Sequence, residues 1–323
     1  MSKARVRLHV PAHMLPDGPE DLPAFYRNLM EQLAALGARC EVVHRDMEAL
    51  RNGPDGADFD FVHNGNIDRP QALNLGPAYL SRFFYADAKG IFFESSIAGL
   101  TFRPAAIPVE TAAGFAATLR GLFVAPRKSR HPQPTDRAQF KCGHIAVFLQ
   151  DLSDPVLRAR HMPARAMIET ILSDTGGRQV VVKPHPRNTG DETQAICDWL
   201  GAHHPQVCLT TANVHDILQG AALSASIASS VAVEGMLHGV PAVLFGRSDL
   251  HHCAETVVTP ADWPMALDRA LGRDWPFDAF LFWFLKRQCI WATRPFLRQI
   301  LDRMSARGAD FARLGVTLPS ASG

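Results

Sequence analysis

The sequence predicts an α/β protein built as two Rossmann-like domains that face one another. Apolar segments of strand length alternate with helical patterns along most of its 323 residues. In the second half those segments are almost continuously apolar, as in Val180-Val181-Val182, which a parallel sheet covered on both faces requires. Over residues 125–139 the rhythm breaks into APRKSRHPQPTDRAQ, with three prolines, five basic residues and no hydrophobic period, the composition of an interdomain linker.

The elements follow in order. Residues 5–10 alternate apolar and polar side chains as a strand, and a helical pattern over 21–36 stops at Gly37. A strand at 39–44 and an apolar step at 59–63 lead to Asn64-Gly65-Asn66. A strand at 90–93 delivers Glu94-Ser95-Ser96 to a similar edge, and a helix at 111–122 closes a first domain of residues 1–125. After the linker, 126–140, strands at 144–149, 179–183, 206–209, 223–228 and 242–245 alternate with helices at 164–172, 192–200, 214–219 and 231–238. These make a second domain of residues 141–275. Residues 276–304, within a last segment 276–323, read as a helical stretch dense in aromatics and bases, packed across both domains. An apolar face of this kind also suits contact with a membrane surface. Ligands of such sheets bind at the carboxyl ends of the strands, so the site is expected in the cleft between the domains.

Composition excludes several classes. With 33 Lys+Arg against 32 Asp+Glu, the net charge of +1 gives no electrostatic case for nucleic acid, and 47% hydrophobic with 20% charged residues excludes disorder. No apolar run approaches the roughly 20 residues of a membrane span, and the start MSKARVRLHVPAH lacks a signal-peptide core, so a cytoplasmic protein is expected. Six scattered cysteines without a C-x-x-C pair indicate neither a disulfide framework nor a zinc knuckle.

Two runs carry chemistry. In Val180-Val181-Val182-Lys183-Pro184-His185-Pro186-Arg187, prolines fix the loop after a strand. Lys183, His185 and Arg187 are there the types that neutralise a phosphate. In Ser226-Ile227-Ala228-Ser229-Ser230-Val231, a strand end hands two serines to a helix start, where they cap the helix, donate to an anion, or do both. Glu234, one turn on, is placed to accept from ribose hydroxyls. Neither G-x-G-x-x-G nor G-x-x-x-x-G-K-[ST] occurs, which argues against NAD enzymes and P-loop NTPases.

Taken together, VVKPHP and SSVAVEGMLHGVPAVLFG resemble the bacterial capsule-polysaccharide glycosyltransferases, especially the Kdo transferases and related sialyltransferases that use CMP-sugars. The resemblance is firm over 179–252, and YLSRFFYADAKGIFFESSI at 79–97 is similar to their acceptor-side segment. It implies a GT-B fold in which His185 and Pro186 of a His-Pro motif, and Ser229 and Ser230 of a Ser-Ser motif, hold CMP, with Glu234 in the nearby helix.

The catalytic carboxylate or histidine is expected from the first domain: Glu94 first, then Asp87 and His63. Asn64 and Asn66 are candidates for acceptor hydroxyls, and His251 and His252 for the sugar or base. His251-His252-Cys253 lacks a second ligand group at metal spacing, and cations with helix dipoles can stabilise a leaving phosphate, so neither metal nor cofactor is expected. The expected partners are a nucleotide-sugar donor and a glycan or glycolipid acceptor on the cytoplasmic side of the membrane. The alternatives are a CDP-glycerol or CDP-ribitol polyol-phosphate transferase, a non-hydrolysing UDP-sugar epimerase, and a non-catalytic nucleotide-sugar-binding subunit of a capsule assembly complex.

Overall fold

The computed structural model describes residues 4–15, 22–53, 58–150, 154–186 and 190–318. The chain divides into two compact units: one takes residues up to 78, 82–99 and from 285 onward, the other 79–81 and 100–284. In the first unit the chain forms β1 (Arg5–Val10), α1 (Ala24–Ala35), β2 (Arg39–His44), α2 (Met47–Asn52), β3 (Phe59–His63), β4 (Ala72–Pro77) and β5 (Phe83–Asp87). The second unit begins with α3 (Val109–Leu119), β6 (Ile145–Phe148), α4 (Asp154–Ala159), α5 (Ala164–Ser173), β7 (Val180–Lys183), α6 (Asp191–His203) and β8 (Cys208–Leu209). It continues through α7 (Val214–Leu218), β9 (Leu223–Ser226), α8 (Val231–Leu237), β10 (Ala242–Leu244), β11 (Glu255–Thr256), α9 (Trp263–Gly272) and α10 (Phe277–Leu281). The first unit is completed by β12 (Ile290–Trp291), α11 (Leu297–Ala306) and α12 (Phe311–Leu314).

The first sheet runs β12-β5-β4-β3-β1-β2. Helix α1 buries Phe25, Tyr26, Leu29, Met30 and Leu33, a stripe at helical spacing, and Gly37 ends the turn at φ +101°. That stripe packs with Val6, Leu8, Val10, Phe59 and Phe61 of the sheet and with Ile300 and Met304 of α11. The opposite face holds the carboxylate of Asp60, fully buried. Arg7 and His9 donate to it at 2.8 Å, and Arg69 donates to its other oxygen. Burial alone would raise its pKa, but the bonds and charges of His9 and Arg7 outweigh burial and hold it at about 2.

Three expectations about this unit are corrected. Residues 90–93 are not a strand: Phe92–Glu94 is a 3-10 turn, and the strand preceding it is β5. The sheet is mixed, because β5 runs antiparallel to β4 and β12 antiparallel to β5. Only residues 78–82 join β4 to β5, too few for a parallel crossover. Residues 276–304 are not one helix. After α10 comes a π-helical turn, Phe282–Gln288, then β12 paired with Phe83 and Phe84, and only then α11. The β-branched and aromatic pair Ile290-Trp291 favours a strand, and Pro295 has no N–H for a helix interior.

The second sheet, β11-β10-β9-β6-β7-β8, is parallel throughout. Its inner strands are mostly apolar because both faces are covered, while β9 brings the small buried side chains of Ser224 and Ser226. Val147, Val180 and Val182 pack with Ile168 of α5, Ile196 of α6 and Trp263 of α9; Ala146, Phe148 and Val181 pack with Ile217 of α7. Both units are α/β, as the sequence predicts, but the division between them falls elsewhere than at residues 126–140. Helix α3 belongs to the second unit, where Arg120 donates to the Leu237 carbonyl at 2.9 Å and to Asp278 at 2.6 Å. Residues 126–140 belong there too.

Candidate functional site

In the second unit the predicted residues gather at the carboxyl edge of the sheet. Strand β7 ends on Lys183, whose buried ammonium donates to the carbonyls of Thr211 and Ala212 at 2.9 and 2.7 Å; burial lowers its pKa. Lys183 therefore clamps the loop after β8 instead of extending toward a ligand. Pro184 and Pro186 bracket His185, whose ring meets that of His131 edge-on at 5.2 Å. Arg187 lies outside the described residues.

Two strands away, β9 hands the chain to α8 through Ser229 and Ser230. The Ala228 N–H donates to the Gln150 side chain at 2.6 Å, the Ser229 N–H to Ser226 Oγ at 3.2 Å, and the Val231 N–H to Ser229 Oγ at 3.3 Å. Ser229 is thus a local cap, and Ser230 holds the N-cap position without a side-chain bond to the helix. Within α8, Glu234 is 1% exposed, and among the described residues neither carboxylate oxygen has a hydrogen-bond partner. Burial pushes this carboxyl up to about 7, against the opposing pull of Ser129, which lies close but short of hydrogen-bond geometry, and of the Arg130 charge.

Ser129 and Arg130 belong to the stretch the sequence presents as a linker. It is docked instead. Arg127 pairs with Asp216 at 2.6 Å, the Ala138 N–H donates to the same carboxylate at 2.9 Å, and Asn213 donates to the Pro134 carbonyl at 3.1 Å. The Gln133 side chain accepts from the Val214 N–H at 3.2 Å. His215 Nε2 donates to the Lys128 carbonyl, which leaves Nδ1 to accept from His238 Nε2, both bonds at 2.9 Å. Sequence reasoning assigned no role to Ser129, Arg130 or His131, which folding brings to Glu234 and His185. Their signal was the density of bases, read there as a property of a spacer.

Next along the edge, β10 leads to Asp249, fully buried, which accepts from the Tyr79 hydroxyl at 2.7 Å. His251 Nδ1 donates to the Ser248 carbonyl at 2.7 Å, and the His252 ring lies between those of His251 and Trp283, at 4.0 and 5.1 Å. Among the described residues no three His, Cys, Asp or Glu side chains converge as metal ligands.

The first-domain candidates lie in the first unit. His63 ends β3; its Nδ1 shares a 2.6 Å hydrogen bond with Tyr26, and burial with the neighbouring Arg45 and His13 charges pushes its pKa down to about 4. Neutral at pH 7, its imidazole is a hydrogen-bonding group there. The chain then crosses to the parallel strand β4 in eight residues, 64–71, without a helix. Asn74 makes that possible: its side chain accepts from the Ile67 N–H at 3.0 Å and donates to the Ile67 and Asp87 carbonyls at 2.9 and 3.2 Å. Asn64 begins the crossover at φ +44°, and Asn66 donates to Glu94 at 3.3 Å while accepting from Arg51 at 3.2 Å.

Glu94 and Asp87 differ sharply. Asp87 Oδ1 accepts from the N–H groups of Lys89, Gly90 and Ser96, and Oδ2 from the Ser96 hydroxyl at 2.6 Å. Its carboxylate is consumed in building the turn that presents Glu94, which is itself half-buried.

No protein-family model and no curated protein matches this sequence. Solved structures do match in shape. A Thermosulfurimonas dismutans KpsC, described as a beta Kdo 2,4 transferase, aligns at a TM-score of 0.51 and 15% identity over 86% of this chain and 90% of its own. A KpsC of the same organism, described as a beta Kdo 2,7 transferase, aligns at 0.51 and 13% identity over 79% of this chain and 84% of its own. The chain shares their two-sheet α/β fold. Among the described residues no helix is long and apolar enough to cross a membrane.

Proposed function

We propose that this chain is a glycosyltransferase that moves a sugar, Kdo from CMP-Kdo, onto a surface polysaccharide or glycolipid. The observation that carries the reading is Glu234, a buried carboxylate with both oxygens unpartnered, in the helix that starts at the carboxyl edge of a parallel sheet. A buried acceptor that folding leaves unsatisfied is costly, and vicinal ribose hydroxyls supply the two O–H donors it lacks. His185 follows strand β7 on the same edge, between two prolines, and is the residue we assign to the donor's phosphate. The shape shared with proteins described as Kdo transferases supports the choice of sugar.

In the reaction an acceptor hydroxyl oxygen bonds to the anomeric carbon, the bond from that carbon to the phosphate oxygen breaks, and CMP leaves with the electron pair. Glu94, held by Asn66, is the group we assign to take the hydroxyl proton or to attack the anomeric carbon. No metal enters this scheme. Peripheral contact with an anionic membrane is part of the proposal, suggested by the density of aromatic and basic residues over 276–304. Co-sedimentation with anionic but not neutral liposomes tests it.

The donor is tested by a thermal-shift panel of CMP, CDP, UDP, GDP and their sugar conjugates, in which CMP and CMP-Kdo should raise Tm most. His185→Ala should weaken CMP binding roughly 10- to 150-fold with the fold intact. Product analysis separates the rivals. Transfer of phosphorus to the acceptor identifies a polyol-phosphate transferase, and tight CMP binding without turnover identifies a non-catalytic subunit.

A further inference from the structure

We infer that the basic segment Arg127–His131 is a working part of the donor site, with Arg130 the cation that meets the donor's phosphate. This rests on the donor-site reading above and adds a specificity-determining residue to it. A nucleotide-sugar brings negative charge to an edge that already holds the buried Glu234 carboxyl, so the site needs a cation.

Arg130 is placed for the task from both sides. The Arg130 charge is near enough to act on Glu234, and the following residue, His131, packs its ring edge-on against His185, so the chain places Arg130 near both donor-site candidates. The segment is also held in place. Lys128 is fixed through its carbonyl by His215, itself set by His238; Arg127 is fixed by Asp216, and Gln133 by the Val214 N–H. Such tethering lowers the ordering cost of binding, because the cation is presented before the ligand arrives. A guanidinium also offers a planar pair of donors that matches two phosphate oxygens.

The test compares CMP with cytidine, which differ by the phosphate alone, by calorimetry on wild type, Arg130→Gln and Arg130→Lys. Wild type should prefer CMP. Arg130→Gln should lose roughly 10- to 150-fold on CMP and nothing on cytidine, and Arg130→Lys should fall between them on CMP alone. Should Arg130→Gln not fold, the CMP-selective loss in Arg130→Lys decides the question. The inference is overturned if wild type binds CMP no tighter than cytidine, if Arg130→Gln keeps the full preference for CMP, or if it loses both ligands equally. Wild type that binds CMP with an affinity indifferent to Arg130 leaves the donor-site reading standing. Wild type that binds no nucleotide in the panel overturns that reading and this inference together.

Discussion

Replacing Glu234 by Gln should make the protein more stable at alkaline pH and less able to bind its donor. The carboxyl titrates near 4.5 in an unfolded chain and is pushed up to about 7 by burial in the folded one. Below pH 4.5 both states are protonated and the group has no effect on stability. As the pH rises through the window from 4.5 to 7, the unfolded chain releases a proton that the folded chain retains, so stability falls. Above pH 7 the full penalty stands, about 3 kcal/mol. Gln has the same shape and does not titrate, so its own unsatisfied amide adds an offset that does not change with pH. The stability of Glu234→Gln relative to wild type should therefore be flat below pH 4.5 and climb by about 3 kcal/mol by pH 8, measured by urea unfolding across that range. At pH 8 CMP should raise the Tm of wild type and leave the variant nearly unmoved. A stability difference that does not change between pH 4.5 and 8 would refute the claim that this carboxylate is buried without a partner. A variant that binds CMP as wild type does would refute its role in the donor site.

Glu94→Gln should bind CMP nearly as well as wild type while turnover falls by roughly 100-fold or more. Asp87→Asn should instead lower Tm, because an amide cannot accept all the bonds from Lys89, Gly90 and Ser96; lost turnover in Asp87→Asn with Glu94→Gln still active would reverse the two roles. Asn74→Ala should destabilise the first unit by about 3 kcal/mol, since three buried bonds of the helix-less crossover are lost at about 1 kcal/mol each, which denaturant unfolding will read. His63 has its folded pKa lowered, so from pH 6.5 down to about 4 the unfolded chain binds the proton first and stability should fall with falling pH. His63→Gln should flatten that part of the profile, and an unchanged slope would place the imidazole in contact with solvent.

The sequence by itself determined most of the second unit and, in the first, β1, α1, β2 and β3, but not β4, β5 or how the chain returns after residue 285. Parallel strands buried on both faces are mostly apolar, so β6, β7 and β10 are written in the chain as short apolar runs and β9 as a run of small residues, and their helices as the intervening periodic patterns. For the same reason His185, Ser229 and Ser230 were legible: residues that follow such strands come to the sheet's carboxyl edge wherever the sheet itself sits. The first unit hides its topology because its decisive contacts are distant in sequence. Strand β12 is two residues long and finds its place in this sheet by pairing with Phe83 and Phe84, some two hundred residues earlier, and the crossover at 64–71 replaces a helix with the side chain of one asparagine. Local propensity contains neither fact. It also cannot tell a charge that is solvated from one that is spent. In the sequence Lys183 and Arg130 are two basic residues near a suggestive motif, and Asp87 and Glu94 two carboxylates near a loop. Only the tertiary structure shows Lys183 bound to two carbonyls, Asp87 saturated by its own turn, and a proline-rich stretch fastened to α7 beside a carboxylate that has no partner. Hydrogen bonds are assigned by proximity, and proximity is what folding decides.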